Sequence, residues 1–133
     1  MNTEYPISLK ICGLCALIST IIFFICISLS VSLSPWFSWT DHFLSELAGS
    51  FEETSIWAAR GFSSIIFNSG LILAGAVGIL FAVLINKVRL FQTSIGKIGI
   101  FVLFIDMSAL CGVGIFQITF YKMHYYCSVI YFV

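Results

Sequence analysis

Three long apolar runs organise this chain. The first, ICGLCALISTIIFFICISLSVSL, covers residues 11–33 and contains no charged residue. At 1.5 Å per residue it reaches roughly 34 Å as a helix, enough to cross a hydrocarbon core of about 30 Å. The second, FSSIIFNSGLILAGAVGILFAVLI, covers residues 62–85 and is also uncharged. The third, from about residue 98 to 118, carries a single charge, Asp106. A fourth run, YYCSVIYFV, follows His124 and stops at residue 133. As a helix it covers only about 14 Å, less than half of the core. The pattern predicts an all-α, polytopic transmembrane helical bundle. Its spans are expected at about 11–33, 62–86 and 98–118, with the start of a fourth at 124 and the whole chain as one transmembrane domain. The short last run predicts that the chain is a fragment, cut inside its fourth span. The first run is too long for the apolar core of a signal peptide, about 7–15 residues, and reads as a retained span.

Between the first two runs lies SPWFSWTDHFLSELAG, residues 34–49. Pro35 has no N–H with which to continue a helical ladder, so the first span should end there. Trp36, Phe37 and Trp39 then fall at headgroup level, where amphipathic rings are favoured. Thr40 is placed to cap a short second helix, with Asp41 in its first turn. On that helix Phe43, Leu44, Leu47 and Phe51 would share one face and His42, Ser45 and Glu46 the other. This is the pattern of a helix lying in the membrane interface, apolar side down. Residues 34–61 are therefore expected to form a small cap over the bundle.

Loop charge sets the expected orientation. Lys87, Arg89 and Lys97 lie between the second and third runs with no acid among them, and Lys10 flanks the first run on the same side. By the positive-inside rule the N-terminus and the 87–97 loop face the cytoplasm of a cell-membrane protein. The 34–61 segment, with Asp41, Glu46, Glu52 and Glu53, then faces outside.

Composition agrees. Hydrophobic residues make up 60% of the 133 residues and charged residues 9%, against about 45–50% and about 25% in soluble domains. So small a soluble fold has too much surface for its volume to hide this apolar content. The formal net charge is zero, and nothing resembles the basic footprint of a nucleic-acid binder. The partners implied are the lipid bilayer, individual lipids and other membrane proteins. Five cysteines lie in or beside apolar runs, where free cysteine behaves as a small hydrophobe. Cys12 and Cys15 form a CxxC inside an apolar helix, which lacks the exposed, activated thiolate of redox motifs.

Lipid supplies no hydrophobic drive between helices, so close packing of small residues must hold the spans together. Gly70, Ala74 and Gly78 recur every four residues, as do Ser108 and Gly112. Cys15, Ser19, Cys26 and Ser30 form a third stripe. These stripes are expected to face one another.

Three sets of polar residues are candidates for chemistry. Asp106 lies near the middle of its span, where a charge costs about 2.5–3.5 kcal/mol or more. Depth matching places it opposite Ala74 and Thr20, with Ser19, Thr20 and Ser108 as hydrogen-bond partners. Three readings follow: a neutral acid tying helices together, a proton or ion relay, or a residue facing a further helix. Asp41, His42, Glu46 and His124 form the second set, gathered at the outer end. A carboxylate and two imidazoles can hold zinc, and zinc can activate water. However, no HExxH or CxxC pair is present, and the plainer reading is solvated polar residues at helix ends. Asn68, about 9 Å inside the second span, is the third. The Cys111–Gly114 backbone lies at similar depth, and the expected role is interhelical bonding. No cofactor is implied.

SPWFSWTDHFLSELAG, IFNSGLILAG (66–75), ALCGVGIF (109–116) and HYYCSVIYF (124–132) together resemble a family of multi-pass archaeal and bacterial membrane proteins, domain of unknown function 998 (DUF998). The resemblance implies a protein of roughly six spans with a loop reading approximately SPWFSWTxxxLSDLG. It also implies a loose relation to the eukaryotic membrane-sensor and autophagy-modulator group. By position, Asp41, Ser45, Glu46, Asn68, Gly70, Asp106 and His124 match the family's polar positions. Glu46 stands where aspartate is commoner, and Gln117 and Ile118 stand where the family shows proline and an acid. The family has no settled activity. The expected role is non-enzymatic: a structural, sensory or lipid-contacting membrane component. The alternatives are a membrane-embedded metal-dependent hydrolase with an outer Asp/His site, and a small transport or proton-relay module centred on Asp106.

Overall fold

The computed structural model describes residues 7–49, 57–88, 92–116 and 120–132, with the side chains of 7, 8 and 57–60 left aside. Four α-helices and one short 3₁₀ helix account for most of them: α1 (Ile7–Ser32), η1 (Leu44–Ala48), α2 (Trp57–Ile85), α3 (Ser94–Ile115) and α4 (Tyr121–Phe132). No strand occurs among the described residues. Among the described residues three stretches are long and apolar enough to cross a membrane: Leu9–Ser32, Gly61–Ile85 and Ser94–Ile115. In α1 only 17% of the most apolar window is buried. Leu14, Leu17, Phe24 and Ile25 are exposed on it, as are Phe101, Val102 and Phe104 on α3. Contiguous apolar surface of this extent is the surface of a membrane protein.

The apolar runs locate the helices well and their ends less well. Helix α2 begins before the uncharged stretch, at Trp57. Helix α3 opens at Ser94, where the Thr93 hydroxyl accepts the Gly96 N–H at 3.1 Å as an N-cap. It ends at Ile115, short of residue 118, with the Phe116 N–H on the Gly112 carbonyl at 2.8 Å. Gln117 and Ile118 lie outside the described residues. Helix α4 starts at Tyr121, three residues before His124, and its 12 residues span roughly 18 Å.

Helix α2 is the centre of the bundle. It packs against α1, α3 and η1, while α4 packs against α3. The α1–α2 pair is antiparallel: Ser19 Oγ donates to the Ala74 carbonyl at 2.8 Å near one end, and Ser30 meets Ser63 near the other. Ser30 Oγ donates to the Ser63 carbonyl and Ser63 Oγ to the Ser30 carbonyl, each at 3.1 Å. Ser63 has then spent its only proton, so Ser34 must be the donor in the 2.7 Å bond between Ser34 Oγ and Ser63 Oγ. All three serines are buried.

The α1 and α2 stripes meet at Ser19 with Ala74 and at Cys26 with Gly70, and the rest of the small residues divide among other neighbours. Gly70 lies against Cys26 of α1, whereas Gly78 lies against Met107 of α3 and Gly112 against Cys127 of α4. Ser108 bonds within its own helix, to the Phe104 carbonyl at 2.7 Å. The cause is geometric: rows of residues four apart are inclined to the helix axis, so a stripe drifts from one neighbour to the next. The glycines of α2 and α3 that face the other helix's main chain lie outside the stripe. A Cβ on Gly75 would stand 2.8 Å from the Met107 carbonyl oxygen, and one on Gly114 would stand 2.7 Å from the Asn68 carbonyl oxygen.

Candidate functional site

The buried core lies where α1, α2 and α3 meet η1. It comprises Ile27, Leu47, Ala48, Phe67, Leu71, Ala74, Leu110 and Val113. The segment from Ser34 to Gly49 roofs this end, but not as the sequence suggests. No helix starts at Thr40. Ser38 closes a turn, its carbonyl accepting the Asp41 and His42 N–H groups at 3.3 and 3.1 Å. The Asp41 carboxylate accepts the hydroxyls of Ser38 at 2.7 Å and Thr40 at 3.1 Å. These bonds, with a smaller contribution from His42, hold its pKa below the ordinary carboxylate value. Such side-chain bonds compete with helix formation, which explains why the Thr40 hydroxyl is turned to Asp41 and does not cap.

The helical turn begins later and is tighter. Glu46 accepts the Phe43 N–H at 2.9 Å, opening η1. Gly49, at φ 136°, closes it in a conformation that side chains rarely adopt. Leu47 and Ala48 are buried, while Phe43 is 79% exposed, so Phe43 does not share their face. Phe51, Glu52 and Glu53 lie outside the described residues, as do the side chain of Arg60 and the whole of Arg89. His42 Nδ1 accepts the Ser38 N–H at 3.2 Å. Its ring stands edge-on to Trp36 at 5.4 Å, while Phe37 bridges Trp36 and Trp39 edge-on at 6.0 and 5.2 Å.

The other candidates are placed separately. Asn68, 6% exposed, donates through Nδ2 to the Ala48 carbonyl at 3.0 Å. Of its expected partners, the Cys111–Gly114 backbone, Gly114 lies against the Asn68 carbonyl oxygen and not its side-chain amide. His124, 7% exposed, is bonded through Nδ1 to the Phe116 carbonyl at 2.7 Å. A carbonyl only accepts, so Nδ1 carries the proton. Asn68 Oδ1 and His124 Nε2 are both buried with no hydrogen-bond partner among the described residues. Asp41, Glu46 and His42 thus turn to their own segment and His124 to the end of α3. Among the described residues no three His, Cys, Asp or Glu side chains are grouped to hold a metal.

Asp106 does not meet the hydroxyls expected for it. Ser19, Thr20 and Ser108 donate to the carbonyls of Ala74, Ala16 and Phe104. Asp106 instead lines a hollow of about 460 Å³ between α3 and α4, with Val102, Ile105, Ile130, Tyr131 and Phe132.

A second cavity lies beneath η1. This apolar cleft of about 270 Å³ is walled by Phe23 and Ile27 of α1, Leu44 of η1, Phe67 and Leu71 of α2, Leu110 and Val113 of α3, and Tyr131 of α4. Ser45 and Ser128 contribute hydroxyls, and the exposed rings of Phe43 and Phe132 stand at its edge. Of its lining, the sequence singled out only Phe43, Leu44 and Ser45, as faces of an interfacial helix and not as walls of a cleft. Phe67 and Leu71 are four apart and Leu110 and Val113 three apart, but in spans apolar on every face this periodicity marks nothing.

The profile of a family described as "Protein of unknown function (DUF998)" matches residues 17–133. No curated protein and no solved structure matches the chain.

Proposed function

The chain belongs to the DUF998 family, and from that premise we propose that it is a non-enzymatic, lipid-contacting part of a multi-pass membrane protein whose roofed cleft seats an acyl chain. The observation that carries this reading is the cleft itself: apolar on all five surrounding helices, covered by η1, and edged by exposed rings. Its volume of about 270 Å³ is just below the range of small-molecule pockets, about 300–1,000 Å³. That suits one hydrocarbon chain better than a whole lipid. The loop charges support placing the roof on the outer face of the cell membrane.

Native mass spectrometry of the full chain from gentle detergent tests the proposal. A phosphatidylcholine-sized adduct is expected on the wild type. It should fall away in Ser128→Phe, which fills the cleft, and persist in Val102→Phe on the exposed side of α3. Equal occupancy in all three, or none in the wild type, would overturn the reading.

A proton-relay reading is supported by one observation, the shared hollow of Asp106 and Tyr131. It requires that Asp106→Asn abolish pH-linked flux into proteoliposomes while leaving helix content unchanged. Flux equal to the wild type would dismiss it.

A further inference from the structure

At the opposite end of the bundle, the last turn of α2 and the first turns of α3 enclose a second groove of about 340 Å³. Its floor is apolar, with Val83, Ile100, Phe101 and Phe104, and its rim carries Asn86, Lys87 and Lys97. Both lysines are exposed, and among the described residues neither lies against a carboxylate. The sequence has no acid between residues 54 and 105. The Gln92 side-chain amide donates to the Asn86 carbonyl. Lys87 follows the end of α2 and Lys97 sits in the first turn of α3.

We propose that this groove binds an anionic lipid, with Lys87 and Lys97 on its phosphate and one tail laid along Phe101 and Phe104. Charge complementarity selects the headgroup: two ammonium groups with no carboxylate against them among the described residues attract an anion at a membrane surface. The floor selects a lipid over free phosphate. Val83, Phe101 and Phe104 are all exposed, and they continue from the lysines onto the apolar outer surface of α3. A free anion would use the rim and leave that surface bare. The site is separate from the cleft under η1, and it stands whether or not the cleft is occupied.

The position of Lys10 provides an internal control. Helix α1 runs antiparallel to α2, so Lys10 near its start lies at the same end of the bundle as Lys87, but it does not line the groove. If general charge at this end attracts anionic lipid, Lys10 matters as much as the other two. If the groove does, it does not.

The test is a native mass spectrometry titration of the full chain with phosphatidylglycerol and, separately, phosphatidylcholine of the same acyl chains. The wild type should prefer phosphatidylglycerol. A lysine near an anionic headgroup contributes roughly fivefold in affinity, so Lys87→Gln with Lys97→Gln should weaken that lipid by roughly 25-fold. The double arginine variant should restore binding, and Ile100→Trp, which fills the floor, should weaken it without removing charge. Lys10→Gln should leave it nearly unchanged. The proposal is overturned if Lys10→Gln weakens binding as much as the groove variants. It is overturned equally if the wild type shows no headgroup preference, or if inorganic phosphate at the lipid's own concentration displaces it.

Discussion

The side-chain amide of Asn68 donates to the main-chain carbonyl of Ala48 at 3.0 Å, a bond that joins the 3₁₀ roof to the central helix across 20 residues. Both ends are buried. Asn68→Ala would leave the Ala48 carbonyl without a donor, a loss of about 1–3 kcal/mol, offset in part because the unpartnered Oδ1 goes too. Hydrogen exchange should therefore quicken at Glu46 to Gly49 while the interior of α2 stays protected. Unchanged exchange across η1 would show that the roof is held by Leu47 and Ala48 alone.

The Ser30–Ser63–Ser34 cluster is the polar link between α1 and α2 at the roofed end, as the Ser19–Ala74 bond is further along. The Ser63 hydroxyl donates to the Ser30 carbonyl and accepts from Ser34, and its carbonyl accepts from Ser30, while the Ser34 hydroxyl makes only its 2.7 Å bond to Ser63 among the described residues. Interhelical bonds in lipid average about 0.6 kcal/mol and reach about 1.7 kcal/mol. Ser63→Ala should cost roughly 1–2 kcal/mol in detergent unfolding, more than Ser34→Ala. The effects of Ser30→Ala and Ser63→Ala should fall short of additive, since each removes one strand of the same reciprocal pair.

Glycines at the α2–α3 contact should differ in tolerance. The Gly75 position faces the Met107 carbonyl oxygen and the Cys111 backbone nitrogen, at 2.8 and 2.9 Å from an added Cβ. Main chain cannot step aside without moving α3. The Gly78 position faces only the Met107 side chain, which has rotamers to spare. Gly75→Ala should therefore lower the unfolding midpoint clearly and Gly78→Ala only slightly.

Asp41 should make the Trp36–Trp39 turn pH-dependent. Its pKa is lowered by the Ser38 and Thr40 hydroxyls, below an unfolded value of about 3.9. A depressed carboxyl pKa stabilises the turn fully above the unfolded value, and that contribution is lost as pH falls through the lower, folded value. Tryptophan fluorescence from the turn should hold steady from neutral pH down to about 4 and change below it. In Asp41→Asn the acid-side change should disappear.

The length of the apolar runs determined the spans directly. In lipid, each backbone N–H and C=O must be satisfied within its own segment, so a charge-free run long enough to cross becomes a helix whatever its neighbours do. The lysine and acid positions were equally legible. Asn68 stood out as a polar group in apolar surroundings and is buried and half-satisfied, whereas His124, expected at a solvated helix end, is buried and half-satisfied as well.

Tertiary structure alone decided which partners those groups take. Asn68 bonds to Ala48, which no helical periodicity relates to it, and His124 to the carbonyl that ends α3. The roof became a turn and a 3₁₀ helix because Ser38, Thr40 and Asp41 satisfy one another locally. The glycine stripe was divided between two neighbours because its row inclines across the helix. The cleft and the lysine groove exist only where helices distant in sequence come together, and a span apolar on every face carries no mark of which face will line them.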